Sequence, residues 1–161
     1  MSTLRIDPAT PADVPVIRDL IRELAEFERL THEAKATEEQ LRDALFGPQP
    51  AAEVLIARMG DEVAGFALYF HNFSTFVGRR GLYLEDLFVR PRFRGLGCGA
   101  ALLKRLARIA VERNCGRMEW SVLDWNQRAI DFYRSLGAVP MNEWTTYRLT
   151  GEALQKLARA E

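Results

Sequence analysis

The chain has 161 residues, one domain's worth spanning 1–161, enough to bury a good hydrophobic core. Its 22 basic and 22 acidic residues balance, so no net field draws it to nucleic acid or an anionic membrane. It shows no apolar run of membrane-spanning length, no leader pattern, and only two cysteines, Cys98 and Cys115, without metal-ligand spacing. These features predict a cytoplasmic, metal-free protein with free thiols.

Leu4 to Asp7 reads as a short strand. Thr10 with Asp13 forms a capping-box pattern, and Pro11 suits the first helical position. Ile17, Leu20, Ile21, Leu24 and Phe27 then recur at helical spacing, predicting a helix to about Arg29. Its last turn carries Glu26, Phe27 and Glu28, which by themselves read as a solvated acidic end. Thr37 and Gln40 make a second cap, opening a short helix through Leu41, Ala44, Leu45 and Phe46 that Gly47-Pro48 stops. Val54 to Arg58 and Val63 to His71 predict a hairpin around Gly60-Asp61. A lone His71 at a strand end is more often structural than catalytic. Residues 72–80 carry Phe73, Phe76, Arg79 and Arg80 and read as a loop at a substrate mouth.

The stretch from Tyr83 to Leu103 is the most informative. It reads YLEDLFV, then RPRFRGLGCG, then AALL: an apolar strand with two acids, a basic glycine turn and the start of a helix. Gly95, Gly97 and Gly99 alternate with Leu96, Cys98 and Ala100. Glycine admits positive φ and close approach of a ligand to the main chain. The helix beginning there presents unpaired N–H groups at its positive end, suited to phosphate or pyrophosphate. Arg92 and Arg94 add charge. From the glycines alone, an ordinary β-α connection and a phosphate site both remain open. No G-x-x-x-x-G-K-[ST] string is present, and the spacing is not the G-x-G-x-x-G of a dinucleotide fold. Cys98 reads as a small filler, since no His lies nearby in sequence to activate it.

Leu102, Leu103, Leu106, Ile109 and Ala110 continue that helix, which Asn114 and Gly116 end. Met118 to Leu123 reads as a strand. Asn126 caps a helix bearing Ile130, Phe132 and Tyr133, closed by Gly137. Trp144 to Leu149 gives a last strand, and Thr150 to Ala160 a terminal helix. The order β-α-α-β-β-β-α-β-α-β predicts an α/β fold with a mixed sheet.

Arg94-Gly95-Leu96-Gly97-Cys98-Gly99 resembles the acyl-CoA loop, R/Q-x-x-G-x-G/A, of the GNAT acetyltransferase superfamily. YLEDLFVRPRFRGLGCG followed by VLDWNQRAIDFYRSLGA is similar, more narrowly, to the spermidine/spermine (diamine) N-acetyltransferase family. The resemblance implies a GNAT fold with about six to seven strands flanked by helices, acetyl-CoA as co-substrate without a metal, a small-molecule amine substrate, and a homodimer. It assigns Glu85 as general base and Tyr133 as general acid. It places CoA against Leu87, Phe88, Val89, Arg94, Gly95, Leu96, Gly97, Cys98, Gly99 and Ala100, and against Asn126, Arg128 and Ala129. The oxyanion donor would be a backbone N–H at a strand bulge around Leu87 to Val89. The amine would meet Phe27, Glu28, Glu85, Asp86, Glu119, Trp120 and Ser121. Eukaryotic polyamine enzymes of this kind carry an acid and a Trp in the segment where this chain has Phe73, Phe76, Arg79 and Arg80, and added positive charge disfavours a polycationic substrate.

The chemistry agrees with that assignment. An alkyl ammonium with a pKa of about 10.4 is protonated at neutral pH and cannot attack a thioester. A carboxylate beside it attracts the cation and takes its proton, directly or through water. Acids inside an apolar strand are costly unless used or paired. In a regular strand Glu85 and Asp86 would point to opposite faces. An enzyme of the same fold acting on protein lysines or N-termini, and a non-catalytic acyl-CoA sensor, are the alternatives. A pure sensor needs the glycine loop but neither proton-transfer group.

Overall fold

The computed structural model describes residues 3–161. Strands β1 (Leu4–Pro8), β2 (Glu53–Met59), β3 (Glu62–Ser74), β4 (Arg79–Val89) and β5 (Arg117–Trp120) form one sheet in sequential order. The first three pairings are antiparallel and β4 pairs with β5 in parallel. Two tight turns make the hairpins, with Gly60 and Gly78 at φ of 63° and 75°. The parallel step requires a crossover, supplied by α3 (Cys98–Glu112).

Helix α1 (Val14–Phe27) is entered through the predicted cap. The Thr10 N–H donates to Asp13 Oδ2 at 2.8 Å, and Asp13 Oδ1 accepts from Arg58 at 2.8 Å, pinning the helix start to β2. The second cap closes reciprocally ahead of α2 (Glu38–Phe46): Thr37 N–H donates to Gln40 Oε1 at 3.0 Å and Gln40 N–H to Thr37 Oγ1 at 3.1 Å. Val14, Ile17, Leu20 and Leu24 of α1, with Leu41 and Leu45 of α2, cover Val54, Ile56, Phe66 and Phe88 on one sheet face. The residues between these, Leu55, Ala67 and Leu84, are buried on the opposite face, the side covered by α3. Gly65 is required where β3 pairs with β4: a β-carbon there would clash with the Phe88 carbonyl oxygen.

Two expectations are corrected. Residues 72–80 are mostly strand, because β3 and β4 extend as a paired arm in which Phe73 faces Arg80 and only 75–78 turn. Backbone pairing carries these polar and aromatic residues past the end of the core. Trp144 to Leu149 forms no strand, so the described residues contain five strands in place of six to seven. Its side chains have a strand-like composition, but a strand also needs a neighbour for its N–H and C=O groups.

The chain divides into two compact units, Met1–Leu123 and Asp124–Glu161. The second holds α4 (Gln127–Ser135) and α5 (Gly151–Arg159). Asn126 Oδ1 caps α4 by accepting from the Ala129 N–H at 3.3 Å, and Gly137 leaves it at φ 90°.

Candidate active site

The strand carrying the two acids is not regular. Leu68 pairs with Asp86 and Tyr69 with Leu84, so Glu85 is an extra residue with no partner on β3. This is a β-bulge, and it sits at Glu85. The bulge expected around Leu87 to Val89 is absent, since those residues pair in unbroken register with Ala67, Phe66 and Gly65.

The bulge changes which way the acids face. Phe70 and Leu68 are two apart on β3 and share a face, so their partners Tyr83 and Asp86 also share it, although they are three apart. That face is the one beneath α1. The chain leaves α1 at Glu28, and the charges of Glu85 and Glu28 both reach Asp86. Burial first, then the fields of Glu85 and Glu28, push the Asp86 carboxyl up to about 7. Burial also raises Glu28. The fields of one carboxylate from α1 and one from β4 therefore meet at Asp86, which the bulge turns onto the face of Tyr83.

The same place is where β4 and β5 part. Their parallel pairing covers Gly81 to Leu84 against Arg117 to Trp120 and ends one residue before the bulge. From Glu85 to Val89 the β5-facing edge of β4 has no strand partner among the described residues. Backbone groups left open there must find another acceptor or donor. Tyr83 leans on Phe70, ring centroids 5.2 Å apart, and its hydroxyl meets the Ser121 hydroxyl at 3.0 Å, holding the two strands together at the mouth of this gap. Glu119 lies opposite Tyr83 and its carboxylate is 3.4 Å from Arg117, whereas Trp120 lies beside Leu84, on the other face.

At the far end of β4 the glycine loop takes the shape its sequence requires. Gly95 and Gly97 sit at φ 79° and 86°, and a β-carbon on either would meet nothing within 4 Å. Gly97 is the residue before α3, and the first bond of that helix runs from Ala101 N–H to the Gly97 carbonyl at 2.9 Å. The N–H groups of Cys98, Gly99 and Ala100 precede it and have no intrahelical acceptor. The Cys98 side chain is buried among Ala64 and Phe93, and burial raises its thiol pKa, so only its main chain faces the loop. Phe88 is likewise a core side chain. The loop arginines already have partners: Arg92 pairs with Glu62 at 3.2 Å, and Arg94 Nε donates to the Val89 carbonyl at 2.9 Å.

The described residues contain no group of three or more His, Cys, Asp or Glu arranged to hold a metal. Comparison with known proteins decides the family. Residues 17–138 match the model of the Acetyltransferase (GNAT) family. A thialysine N-epsilon-acetyltransferase from Mus musculus is 40% identical, over 98% of this chain and 99% of that protein. An L-ornithine N5-acetyltransferase from Arabidopsis thaliana is 36% identical, over 95% of this chain and 87% of that protein. An integron cassette protein from the mobile metagenome of V. cholerae has a TM-score of 0.82 at 32% identity, each chain 98% covered. The chain belongs to the GNAT acetyltransferase family.

This GNAT protein is an acetyl-CoA-dependent N-acetyltransferase, and its loop fits the co-substrate on its own geometry. Two positive-φ glycines with open space above them precede a 15-residue helix whose N-terminal amides point outward, a cradle for the pyrophosphate. When bound, acetyl-CoA supplies the acetyl group as an activated thioester. Gly97→Ala is expected to raise the acetyl-CoA KM at least tenfold while costing only about 1–3 kcal/mol of stability from the left-handed backbone. Isothermal calorimetry and a thermal melt separate the two effects.

In the second unit, Asn126 and Ala129 are joined by the cap bond, Arg128 is exposed, and Tyr133 packs against Phe132 with centroids 5.9 Å apart. His71 stands on a different cluster: its Nε2 is 3.4 Å from Arg113, which forks onto Glu53 at 2.6 and 3.0 Å. Burial and Arg113 lower the His71 pKa. The sequence reading passed over Tyr83 and the pair of Arg90 with Glu23. Arg90 donates to Glu23 at 3.0 and 2.9 Å and to the Val63 carbonyl at 3.1 Å, clamping α1 to the end of β4. Nothing local marks that pair, which is 67 residues apart.

Proposed function

We propose that this enzyme acetylates the side-chain amine of a small lysine-like amino acid or diamine, with Glu85 as general base and Tyr133 as general acid, within a single acetyltransferase domain. The observation that carries the reading is the gathering of Glu28, Glu85 and Asp86 where β4 and β5 part. A cluster of carboxylates attracts an ammonium group, and the member on the bulge, Glu85, takes its proton. Asp86, half-protonated near neutral pH, becomes the cation's counter-charge on binding. The open edge of β4 supplies backbone N–H groups for the developing charge on the acetyl oxygen. A phenol at Tyr133 protonates the departing thiolate.

The choice of amine follows the relatives, whose printed names specify thialysine and L-ornithine, both aminoalkyl amino acids. The exposed Arg79 and Arg80 disfavour a longer polycation. An enzyme acting on protein lysines or N-termini, or a non-catalytic acyl-CoA sensor, would have less use for three converging acids. Incubation with acetyl-CoA and equal thialysine, ornithine, spermidine and a lysine peptide, followed by mass spectrometry, tests this. The expected product carries one acetyl on the side-chain amine of an amino acid; acetylation of the peptide alone would replace the reading. Tyr133→Phe should lower kcat by about 100-fold or more with acetyl-CoA affinity nearly unchanged, and full activity would reduce Tyr133 to packing. A homodimer belongs to the same reading and is tested by sedimentation velocity.

A further inference from the structure

We propose that Arg94, the first residue of the glycine-loop signature, is a positioning residue that couples the loop to the acid cluster through Phe27, and that its side chain does not serve as a phosphate grip. The inference rests on the assignment of Glu28, Glu85 and Asp86 to the amine.

The geometry is a sandwich. The Arg94 guanidinium carbon lies 4.8 Å from the centre of the Phe27 ring and 5.6 Å from that of Phe88, and those two rings are 6.5 Å apart at 51°. Its Nε is committed to the Val89 carbonyl at 2.9 Å. A planar guanidinium lies flat on the ring while its Nε donates in plane; an ammonium keeps the charge but not that flat, in-plane geometry. Phe27 is the last residue of α1 and is 40% exposed, whereas Leu24, one turn earlier, is 8% exposed. Burial therefore fixes Leu24 firmly and Phe27 far less, and the Arg94 guanidinium stacked on the Phe27 ring adds to its anchoring. The next residue is Glu28, one of the two carboxylates whose fields act on Asp86.

A second arginine shows the same construction one turn away. Arg90 holds Glu23, and Arg94 holds Phe27; each pair is displaced by four residues on both segments. Positions four apart on a helix share a face, so the run from Arg90 to Arg94 braces one side of α1 over its last two turns. Immediately after Arg94 come Gly95 and Gly97, the two positive-φ positions. Any change in the loop when its cradle is filled is transmitted to Arg94, hence to Phe27 and Glu28.

The test uses Arg94→Lys, Arg94→Ala, Phe27→Leu and the double variant Arg94→Ala/Phe27→Leu. Three readouts apply: acetyl-CoA affinity by calorimetry, kcat/KM for thialysine at saturating acetyl-CoA, and the Asp86 titration followed by carbon-13 NMR without ligands. Arg94→Lys and Phe27→Leu should each lower kcat/KM for the amine about tenfold, change acetyl-CoA affinity less than threefold, and move the Asp86 midpoint downward. The double variant should be little worse than either single one. A tenfold loss of acetyl-CoA affinity in Arg94→Ala that Lys restores, with the Asp86 titration unmoved, would overturn the proposal and make Arg94 a phosphate ligand. Should the parent enzyme turn over no amine, the functional reading fails, while the Asp86 titration still decides whether Arg94 positions the cluster.

Discussion

Glu85→Gln should lower kcat by about 100- to 10,000-fold at pH 7, the range over which a positioned general base acts. The deficit should shrink as pH rises. The variant must wait for amine that is already deprotonated, and with an amine pKa of about 10.4 that fraction grows tenfold per pH unit until close to pH 10. Wild-type enzyme performs the deprotonation itself, so its profile should level off sooner. Glutamine keeps nearly the same shape at the bulge and removes a charge from beside Asp86. The fold should therefore survive, and the substitution reads chemistry. If the variant and the wild type gave pH–rate profiles of the same form, Glu85 would not be the base.

Asp86→Asn is expected to make the protein more stable and the enzyme worse. In the fold the Asp86 carboxyl is pushed up to about 7 from an ordinary 3.8. Between those values the folded chain holds a proton that the unfolded chain has released. Stability therefore falls as pH rises through this window, and the full penalty is present above it. A shift of this size corresponds to about 4 kcal/mol at most, at roughly 1.4 kcal/mol per pH unit. Urea titrations at pH 4 and pH 8 should show Asp86→Asn gaining about 2–4 kcal/mol relative to wild type at the higher pH only. The same change removes a counter-charge for the ammonium, so the amine KM should rise tenfold or more while acetyl-CoA affinity stays put. A stability difference independent of pH would mean that Asp86 is ionised in the fold and that the cluster is not tuned as described. Marginally stable proteins commonly carry such costs where they bind ligands.

Much of this was legible from residues alone, for identifiable reasons. Thr10 with Asp13, Thr37 with Gln40, and Asn126 are local devices acting over three residues, and each makes the expected bond. Gly95 and Gly97 announce positive φ because few other residues tolerate it. The bulge gave no such signal. It contains no glycine or proline, and it exists because β3 and β4 meet in a register that only the assembled sheet defines. The face that Asp86 takes was hidden for that reason. The partners of Arg90 and Arg94 were hidden by sequence distance, since Glu23 and Phe27 are 67 residues upstream. Residues 72–80 read as a loop because the signal sought was burial, and an exposed arm is held by its backbone pairs.

One acidic cluster should both receive and deprotonate a small side-chain amine. The most direct measurement is thiol release from acetyl-CoA, comparing kcat/KM for thialysine, ornithine, putrescine, spermidine and spermine in wild type and Glu85→Gln at pH 7. Thialysine or ornithine should run ahead of the polyamines in the wild type, with a loss of at least about 100-fold for the preferred amine in the variant. Equal activity of the two proteins, or tight acetyl-CoA binding with no turnover of any of these amines, would contradict it.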